Sequence, residues 1–279
     1  MQIYSCSTQR SGHNAILYWL LHQKNVVKQF LRVKQSRLTY GSAKSRDREV
    51  TYGIATDVIE SNLYLGVTIH SPPTPRPFTK NPIVEELDYD LIIWNLVDDE
   101  PERLHERMQA HGQYNPDNKI IIIREFKNWV ASLIKHMQSS RTTNRTNTKK
   151  KQQWVWDSKT QQQRSLMRTY LRTYLEHAQY FLSSNEYTTI LYDKWFSDED
   201  YRKQIVSELG LEFTDMGRDK VSKQGRGSSF DGLDYNGKAL EMNVLERYKT
   251  MINDDEYIEY ISDNQEALDL SNQIVRSLS

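Results

Sequence analysis

The sequence contains one cysteine in 279 residues, and this scarcity excludes several classes of protein. Cys6 cannot form an intramolecular disulfide, and a single thiolate cannot build a cysteine metal site. A membrane-spanning helix needs about 18 apolar residues in a row, which the sequence does not contain. Residues 1–4 (MQIY) do not have the pattern of an export signal. We therefore expect a polar protein of a reducing compartment, the cytoplasm, with no membrane partner.

The sequence has no net charge, because 37 basic residues balance 37 acidic ones, but the charges are segregated. Between Glu125 and Asp157 there are seven lysines and arginines and no acid. From Asp254 to Asp269 there are seven acids and no base. Charges more than about 10 Å away are screened by salt, so the field at a binding site is set by the charges close to it. A cluster of basic residues can therefore bind a small polyanion even though the whole protein is neutral. Residues 139–153 (SSRTTNRTNTKKKQQ) lack apolar side chains and are predicted to be a flexible basic insert.

Short apolar or β-branched segments alternate with longer helical patterns, which is typical of parallel strands joined by crossover helices. The predicted strands lie at residues 2–6, 90–97, 119–123 and 188–192. The predicted helices lie at residues 15–23, 101–111, 128–137, 165–182 and 198–209. The second and third strands are apolar at nearly every position, which predicts central strands covered on both faces. We expect one α/β domain over residues 1–279, a parallel sheet flanked by helices on both faces, with loops at 35–53 and 70–77.

The first strand leads into a turn of small and polar residues, and a helical segment follows. Such a turn forms an anion cradle, because amide N–H groups converge there and the helix dipole adds about half a positive charge. A Walker loop, G-x-x-x-x-G-K-[ST], would need a glycine at Ser7, a lysine at His13 and a hydroxyl at Asn14. The turn therefore favours a phosphate or sulfate ligand over Mg²⁺-dependent cleavage of a nucleoside triphosphate.

A second candidate site lies after the third strand, where Arg124 ends the strand and Ser132 lies early in the next helix. Ligands of open α/β sheets bind at the edge where the parallel strands end. Arg124 and Ser132 could therefore grip one phosphate from two directions. The alternative is that Arg124 pairs with a carboxylate such as Glu125.

These residues resemble the motifs of the sulfotransferases that use 3′-phosphoadenosine 5′-phosphosulfate (PAPS). The first-strand loop of that family, P-K-S-G-T-T-W, is similar to residues 9–15 (QRSGHNA), with arginine in place of lysine. Its second element, R-N-P-K-D-x-x-V-S, has an arginine and a serine at the spacing of Arg124 and Ser132. Residues 191–195 (LYDKW) resemble its Y-E-x-L segment, and residues 223–232 (KQGRGSSFDG) resemble its basic glycine loop. The set looks like a divergent microbial branch of the family.

The resemblance implies a P-loop-like fold and transfer of a sulfuryl group from PAPS to a hydroxyl or amine, with 3′,5′-ADP as product and no metal. It places the 5′ end of the nucleotide on Arg10, Ser11, Gly12, His13 and Asn14. It places the 3′-phosphate on Arg124, Ser132, Gly225, Arg226, Gly227 and Ser228. Arg10 would also act in catalysis, by stabilising charge on the bridging oxygen as the sulfuryl group leaves.

The acceptor also needs a general base, and the histidine segment of the family, K-T-H-L-P, corresponds here to residues 95–101 (NLVDDEP), without a histidine. A carboxylate can serve when burial or a like-charged neighbour raises its pKa, and Asp98 stands beside Asp99. An acid before a helix can equally be an ordinary N-cap. His13, inside the turn, is the second candidate base and His70 is the third.

Two other functions remain open. A P-loop nucleotide kinase could use ATP and Mg²⁺, with Asp98 and Asp99 holding the metal, although the missing lysine argues against it. A non-catalytic protein could bind nucleic acid or another polyanion through residues 139–153. As partners we expect a nucleotide donor and a hydroxyl- or amine-bearing acceptor rather than nucleic acid.

Overall fold

Seven strands form one sheet in the structure, a computed structural model that describes residues 1–23, 38–39, 51–53, 65–70, 92–97, 101, 118–146, 161–219, 221 and 228–278. The strands are β1 (Gln2–Ser7), β2 (Leu38–Thr39), β3 (Thr51–Gly53), β4 (Leu65–His70), β5 (Ile92–Val97), β6 (Asn118–Ile123) and β7 (Thr188–Leu191). Their order across the sheet is β2-β3-β4-β5-β1-β6-β7. Strands β4, β5, β1, β6 and β7 are parallel, and β2 and β3 form an antiparallel edge.

Helices connect and cover these strands. They are α1 (His13–Leu20), α2 (Phe126–Thr146), α3 (Gln161–Ser183), α4 (Tyr192–Ser197), α5 (Glu199–Glu208), α6 (Asp255–Ser262) and α7 (Gln265–Ser277). Two short 3₁₀ helices, Ala239–Glu241 and Arg247–Met251, precede α6. Of the helices within the described ranges, none combines the length and the apolar character that crossing a bilayer requires.

Each face of the sheet carries its own hydrophobic core, because side chains alternate between the two faces along a strand. Ile120 and Ile122 of β6 belong to a core that includes residues of α1 and α5. Ile123 belongs to the opposite core, which includes residues of α2, α3, α6 and α7. The four isoleucines at 120–123 are 0% exposed, as expected for a strand covered on both faces. The predicted α/β class, a parallel sheet with helices on both faces, is confirmed.

Most predicted elements lie close to their observed positions. β1 and β6 each extend one residue beyond the predicted strands, and β5 lies within the predicted segment 90–97. Both β5 and β6 have a strand on each side, so the prediction that they are interior strands is confirmed. Residues 102–111 of one predicted helix lie outside the described residues.

Three predictions need correction. Tyr192 begins α4 instead of ending the fourth predicted strand. The predicted loop 35–53 contains β2 and β3, which at two and three residues are too short for a recognisable strand pattern. His70, predicted as the start of a loop, is the last residue of β4, and residues 71–77 of that prediction lie outside the described residues.

The basic insert is partly helical. The third predicted helix continues to Thr146, because residues 138–146 contain no proline or glycine to stop it. Residues 139–146 of the insert therefore extend α2. Residues 147–153 lie outside the described part, and the flexibility of the insert stays a prediction.

Candidate functional site

Strands β1, β6 and β7 end side by side at one edge of the sheet, called here the carboxyl edge. The register aligns Ile123, the last residue of β6, with Leu191, the last residue of β7. Arg124 and Tyr192, which follow these two residues in the sequence, therefore lie at adjacent positions of the carboxyl edge. Strand β1 lies on the other side of β6, and the turn at residues 8–14 leaves it at the same edge. The sheet thus places both sequence-predicted binding elements at one edge.

The turn at residues 8–14 has the backbone geometry of an anion cradle. Ser11 N donates to Thr8 O at 3.2 Å, which closes the turn. Arg10 and Gly12 have φ values of 67° and 86°, and Gly12 is the N-cap of α1. Because the first amides of a helix have no partner within it, the start of α1 offers N–H donors to a ligand.

Gly12 lies directly against the ring of Tyr192. A Cβ atom at residue 12 would come within 2.2 Å of Tyr192 Cδ2. The ring itself is only 5% exposed and packs near Trp195 and Phe196, with ring centroids 5.6 and 6.1 Å away. Only glycine permits this contact without displacing the ring, so the contact fixes the turn on the end of β7.

Arg10 is held by helix α2. Its Nη2 hydrogen-bonds to His136 Nδ1, and Trp129 Nε1 donates to the neighbouring Gln9 O at 2.8 Å. The Nε atom of Arg10 is buried and makes no hydrogen bond to any residue of the described ranges. Burial lowers the pKa of Arg10, while the nearby Tyr170 acts in the opposite direction. The turn therefore carries a partly desolvated cation with a spare donor.

Arg124 and Ser132 are in direct contact. Arg124 Nη1 donates to Ser132 Oγ at 2.9 Å, and Arg124 Nη2 donates to Val244 O at 2.5 Å. The two side chains are 2% and 1% exposed, and the guanidinium carbon of Arg124 lies 4.9 Å from the centre of the Tyr192 ring. That the pair binds a phosphate stays a prediction.

Helix α2 brings the two predicted binding elements to one place. Ser132 contacts Arg124, and His136, one helical turn later, contacts Arg10. Residues four apart on a helix share a face, with their Cβ atoms about 6 Å apart. The two arginines therefore approach the same face of α2.

A buried carboxylate network fixes Arg124 from the other side. Asp193 Oδ2 accepts from Glu125 N at 2.7 Å, and its Oδ1 accepts from Asn128 Nδ2 at 3.1 Å and lies 3.9 Å from Arg124 Nε. Burial raises the pKa of Asp193, and Arg124 opposes that rise. Burial and the charge of Asp193 raise the pKa of Glu125. The alternative that Arg124 pairs with a carboxylate is met by Asp193 instead of Glu125.

The glycine loop is described only from Ser228 onward. Ser228 Oγ donates to Asp231 Oδ2 at 2.8 Å and accepts from Arg247 Nη2 at 2.8 Å. Ser228 N and Gly232 O, 2.8 Å apart, close the loop. The hydroxyl of Ser228 thus shapes the loop. The remaining predicted residues of this element, Gly225, Arg226 and Gly227, lie outside the described residues, and their role stays a prediction.

Of the three candidate bases, the structure describes His13 and His70. His13 is 8% exposed, and its Nδ1 lies 3.4 Å from Ser11 Oγ. His70 ends β4, the strand next to β5, away from β1 and β6. Asp98 lies outside the described residues. Within the described ranges, three or more His, Cys, Asp or Glu side chains never come together as a possible metal site.

Sequence reasoning missed four side chains and one backbone carbonyl of this site, the carbonyl being that of Val244. The missed contacts come from His136, Asn128, Asp193, Val244 and Arg247. The contacts of these residues with Arg10, Asn128, Arg124 and Ser228 each span more than 15 positions. Only Asp193, within the LYDKW segment, had a sequence signal, and that signal came from resemblance alone.

The fold and this edge define an α/β protein with a cationic site where β1 and β6 end. No protein-family model matches the sequence, and no curated protein matches it. Among solved structures, the chain is similar to mouse sulfotransferase SULT7A1 complexed with PAP. The TM-score is 0.48 and the sequence identity is 10%, over 99% of this chain and 88% of that chain.

Proposed function

We propose that this protein is a sulfotransferase that takes a sulfuryl group from PAPS. The observation that carries the proposal is the convergence of Arg10 and the Arg124–Ser132 pair on one face of α2. PAPS has a phosphosulfate at its 5′ end and a phosphate at its 3′ position, and so needs two neighbouring anion sites. The turn at residues 8–14 would hold the first group, and Arg124 with Ser132 would hold the second.

The chemistry of the transfer assigns a part to each element. The bond between sulfur and the bridging phosphate oxygen breaks, and a bond forms between sulfur and the acceptor oxygen or nitrogen. The acceptor proton passes to a base, and 3′,5′-ADP leaves. Arg10 and the amides of Ser11, Gly12, His13 and Asn14 stabilise the negative charge on the leaving oxygen.

The base is His13 or Asp98. His13 is buried in the turn itself, beside Ser11, and so lies close to the transferred group. Asp98 directly follows β5, the neighbour of β1 in the sheet.

In a nucleotide-bound enzyme, Asp98→Asn lowers turnover by orders of magnitude if Asp98 is the base, and unchanged turnover assigns the role to His13.

We place this reaction in the cytoplasm and give no metal a part in it. Cys6, the single cysteine of the sequence, is buried, which suits a reducing compartment. The side chains of Arg10 and Arg124 supply positive charge of the kind that Mg²⁺ supplies in enzymes that cleave nucleoside triphosphates.

A thermal-shift experiment tests the proposal directly. The protein is heated with 3′,5′-ADP, with ATP and Mg²⁺, or in buffer. A ligand at 100 times its Kd stabilises the folded state by about 2.7 kcal/mol, which raises Tm by roughly 5–10 °C for a chain of this size. We expect this rise with 3′,5′-ADP. A rise only with ATP and Mg²⁺ would indicate a kinase, and steeply salt-dependent RNA binding with no response to 3′,5′-ADP would indicate a polyanion-binding protein.

The catalytic part of Arg10 is tested by Arg10→Ala. Alanine keeps the Cβ atom, so the strain of the positive φ at residue 10 is unchanged. We expect turnover to fall by about 10²- to 10³-fold, the effect of removing one preorganised donor. Turnover is measured as 3′,5′-ADP formed from PAPS with a panel of phenols and amines. Arg276→Ala, at an exposed position in the last turn of α7, is the control, and near wild-type turnover of Arg10→Ala would refute the assignment.

A further inference from the structure

The hydrogen bond between Arg10 and His136 fixes the chemical state of the histidine. Arg10 Nη2 and His136 Nδ1 are the two atoms of this bond. A guanidinium group stays protonated and has only donors, so Arg10 is the donor. The Nδ1 atom of His136 is then the acceptor, which makes the imidazole neutral and places its proton on Nε2. The sequence motifs did not single out this histidine.

A protonated His136 cannot make this bond. An imidazolium carries a proton on both ring nitrogens, so its Nδ1–H would point at a donor of Arg10. The two groups would also be like charges in contact, at a place where burial already lowers the pKa of Arg10. Uptake of one proton by His136 therefore turns an attractive contact into a repulsive one.

The groups around this part of α2 also disfavour a charged His136. The charged and titratable groups that the structure places around Arg10 and this part of α2 come from several elements. They are Arg10 of the turn, Tyr170 of α3, Asp254 of α6, Arg247 of the 3₁₀ helix and Lys135 of α2 itself. Asp254 Oδ2 accepts from Gln138 Nε2 at 2.8 Å, and Arg247 and Lys135 both contact the Phe230 ring. Three of these five groups are cations, which favours the neutral imidazole.

Helix α2 holds both the backbone and the side chain of the turn at Arg10. Trp129 Nε1 donates to Gln9 O at 2.8 Å, next to the positive φ of 67° at Arg10. The contact with His136 fixes the guanidinium, whose buried Nε makes no hydrogen bond to any described residue. A donor that is already in place needs no rearrangement during a reaction, and this preorganisation is what makes it effective.

We propose that His136 is a positioning residue for sulfuryl transfer, which holds Arg10 in place only while its imidazole is neutral. This inference rests on the proposed function, because it relies on the part given there to Arg10. His136 acts through Arg10 rather than on the nucleotide or the acceptor. As the pH falls, His136 takes up a proton and releases Arg10, so turnover falls for a reason separate from protonation of the general base.

The test compares the pH profiles of kcat for wild type, His136→Asn and His136→Leu at saturating PAPS, with the phenol or amine that reacts fastest. Asparagine Oδ1 takes the place of Nδ1 and accepts at every pH, whereas leucine accepts at none. Because an imidazole ordinarily gains its proton at about pH 6.5, wild type should lose roughly 10-fold more turnover than His136→Asn between pH 8 and pH 5.5. At pH 8 we expect His136→Leu to be roughly 10- to 100-fold slower than wild type, the usual effect of losing a hydrogen bond to a charged group, and His136→Asn to recover most of that loss.

A double variant shows whether His136 acts through Arg10. In the Arg10→Ala background, residue 136 has no guanidinium to hold. The residual turnover should therefore have the same pH profile with histidine or asparagine at this position. The exposed control Arg276→Gln should keep the wild-type profile.

The outcomes separate this inference from the proposed function. If wild type forms no 3′,5′-ADP from PAPS and 3′,5′-ADP does not raise its Tm, the proposed function fails and the inference fails with it. If wild type is active and His136→Asn loses as much turnover at low pH, only the inference fails. A difference between histidine and asparagine that persists in the Arg10→Ala background also overturns it, because His136 then acts independently of Arg10.

The state of His136 can be measured without a variant that might not fold. The ¹⁵N chemical shifts of the imidazole at pH 8 distinguish a protonated from an unprotonated ring nitrogen. We expect an unprotonated Nδ1 and a protonated Nε2 in wild type. The opposite tautomer would overturn the inference, because Nδ1 could not then accept from Arg10.

Discussion

Arg124→Gln is expected to destabilise the protein by about 3 kcal/mol or more, the usual cost of removing one partner of a buried charge pair. Glutamine is too short to reach both Ser132 Oγ and Val244 O, which accept from Arg124 at 2.9 and 2.5 Å. The carboxylate of Asp193 also loses its nearest buried cation, at 3.9 Å. The free energy of unfolding, measured in urea, gives the loss, and 3′,5′-ADP should no longer raise the Tm of this variant.

The pH dependence of this loss identifies its cause. Burial raises the pKa of Asp193 and Arg124 opposes the rise, so the pKa climbs further when Arg124 is removed. An acid whose pKa is raised by folding favours the folded state while it is protonated, and that stability is lost as pH rises through the folded pKa. The penalty of Arg124→Gln is therefore larger at pH 8 than at pH 5.

A double variant provides the matched control. Asp193→Asn removes the charge that Arg124 compensates, so Arg124→Gln should cost less in that background at pH 8 than in wild type. The exposed Arg276→Gln should cost almost nothing at either pH. Equal penalties for Arg124→Gln at pH 5 and 8, with no relief from Asp193→Asn, would show that the pair does not stabilise the edge.

The sequence predicts the centre of this fold better than its edge, for a physical reason. A parallel strand covered on both faces must be apolar at successive positions, and Lys119 to Ile123 (KIIII) satisfies that condition directly. The edge strands β2 and β3, with two and three residues, make few side-chain contacts of their own. Their pairing depends on β4, which the sequence pattern also did not reveal.

In the candidate site, likewise, contacts between residues close in sequence were easier to predict than contacts between distant ones. Arg124 and Ser132 are eight residues apart on one strand–helix junction, so their contact follows from local geometry. Asp193 reaches Asn128 across 65 positions, and His136 reaches Arg10 across 126. Such contacts depend on how β1, β6 and β7 are ordered in the sheet. The hydrophobic pattern and the motif spacings do not reveal that order.

Gly12→Ala is expected to cost about 3 kcal/mol or more, because two penalties combine at one position. A left-handed φ of 86° is strained for any residue with a Cβ atom, at about 1–2 kcal/mol. The new Cβ would also lie 2.2 Å from Tyr192 Cδ2, and such overpacking costs about 1–3 kcal/mol. Because the ring is fixed under Arg124, the turn has to move instead, and its amides leave the ligand position. We expect both a lower free energy of unfolding and no Tm response to 3′,5′-ADP.

Gly210→Ala separates the two penalties. Gly210 also has a positive φ, 68°, but a Cβ there would meet no atom within 4 Å, so only the backbone cost of about 1–2 kcal/mol applies. In a Tyr192→Leu background, Gly12→Ala should likewise cost no more than Gly210→Ala does. If Gly12→Ala and Gly210→Ala were equally mild in wild type, the ring of Tyr192 would not be what holds the turn. The strand–turn–helix element would then depend on its contacts with α2 alone, through Trp129 and His136.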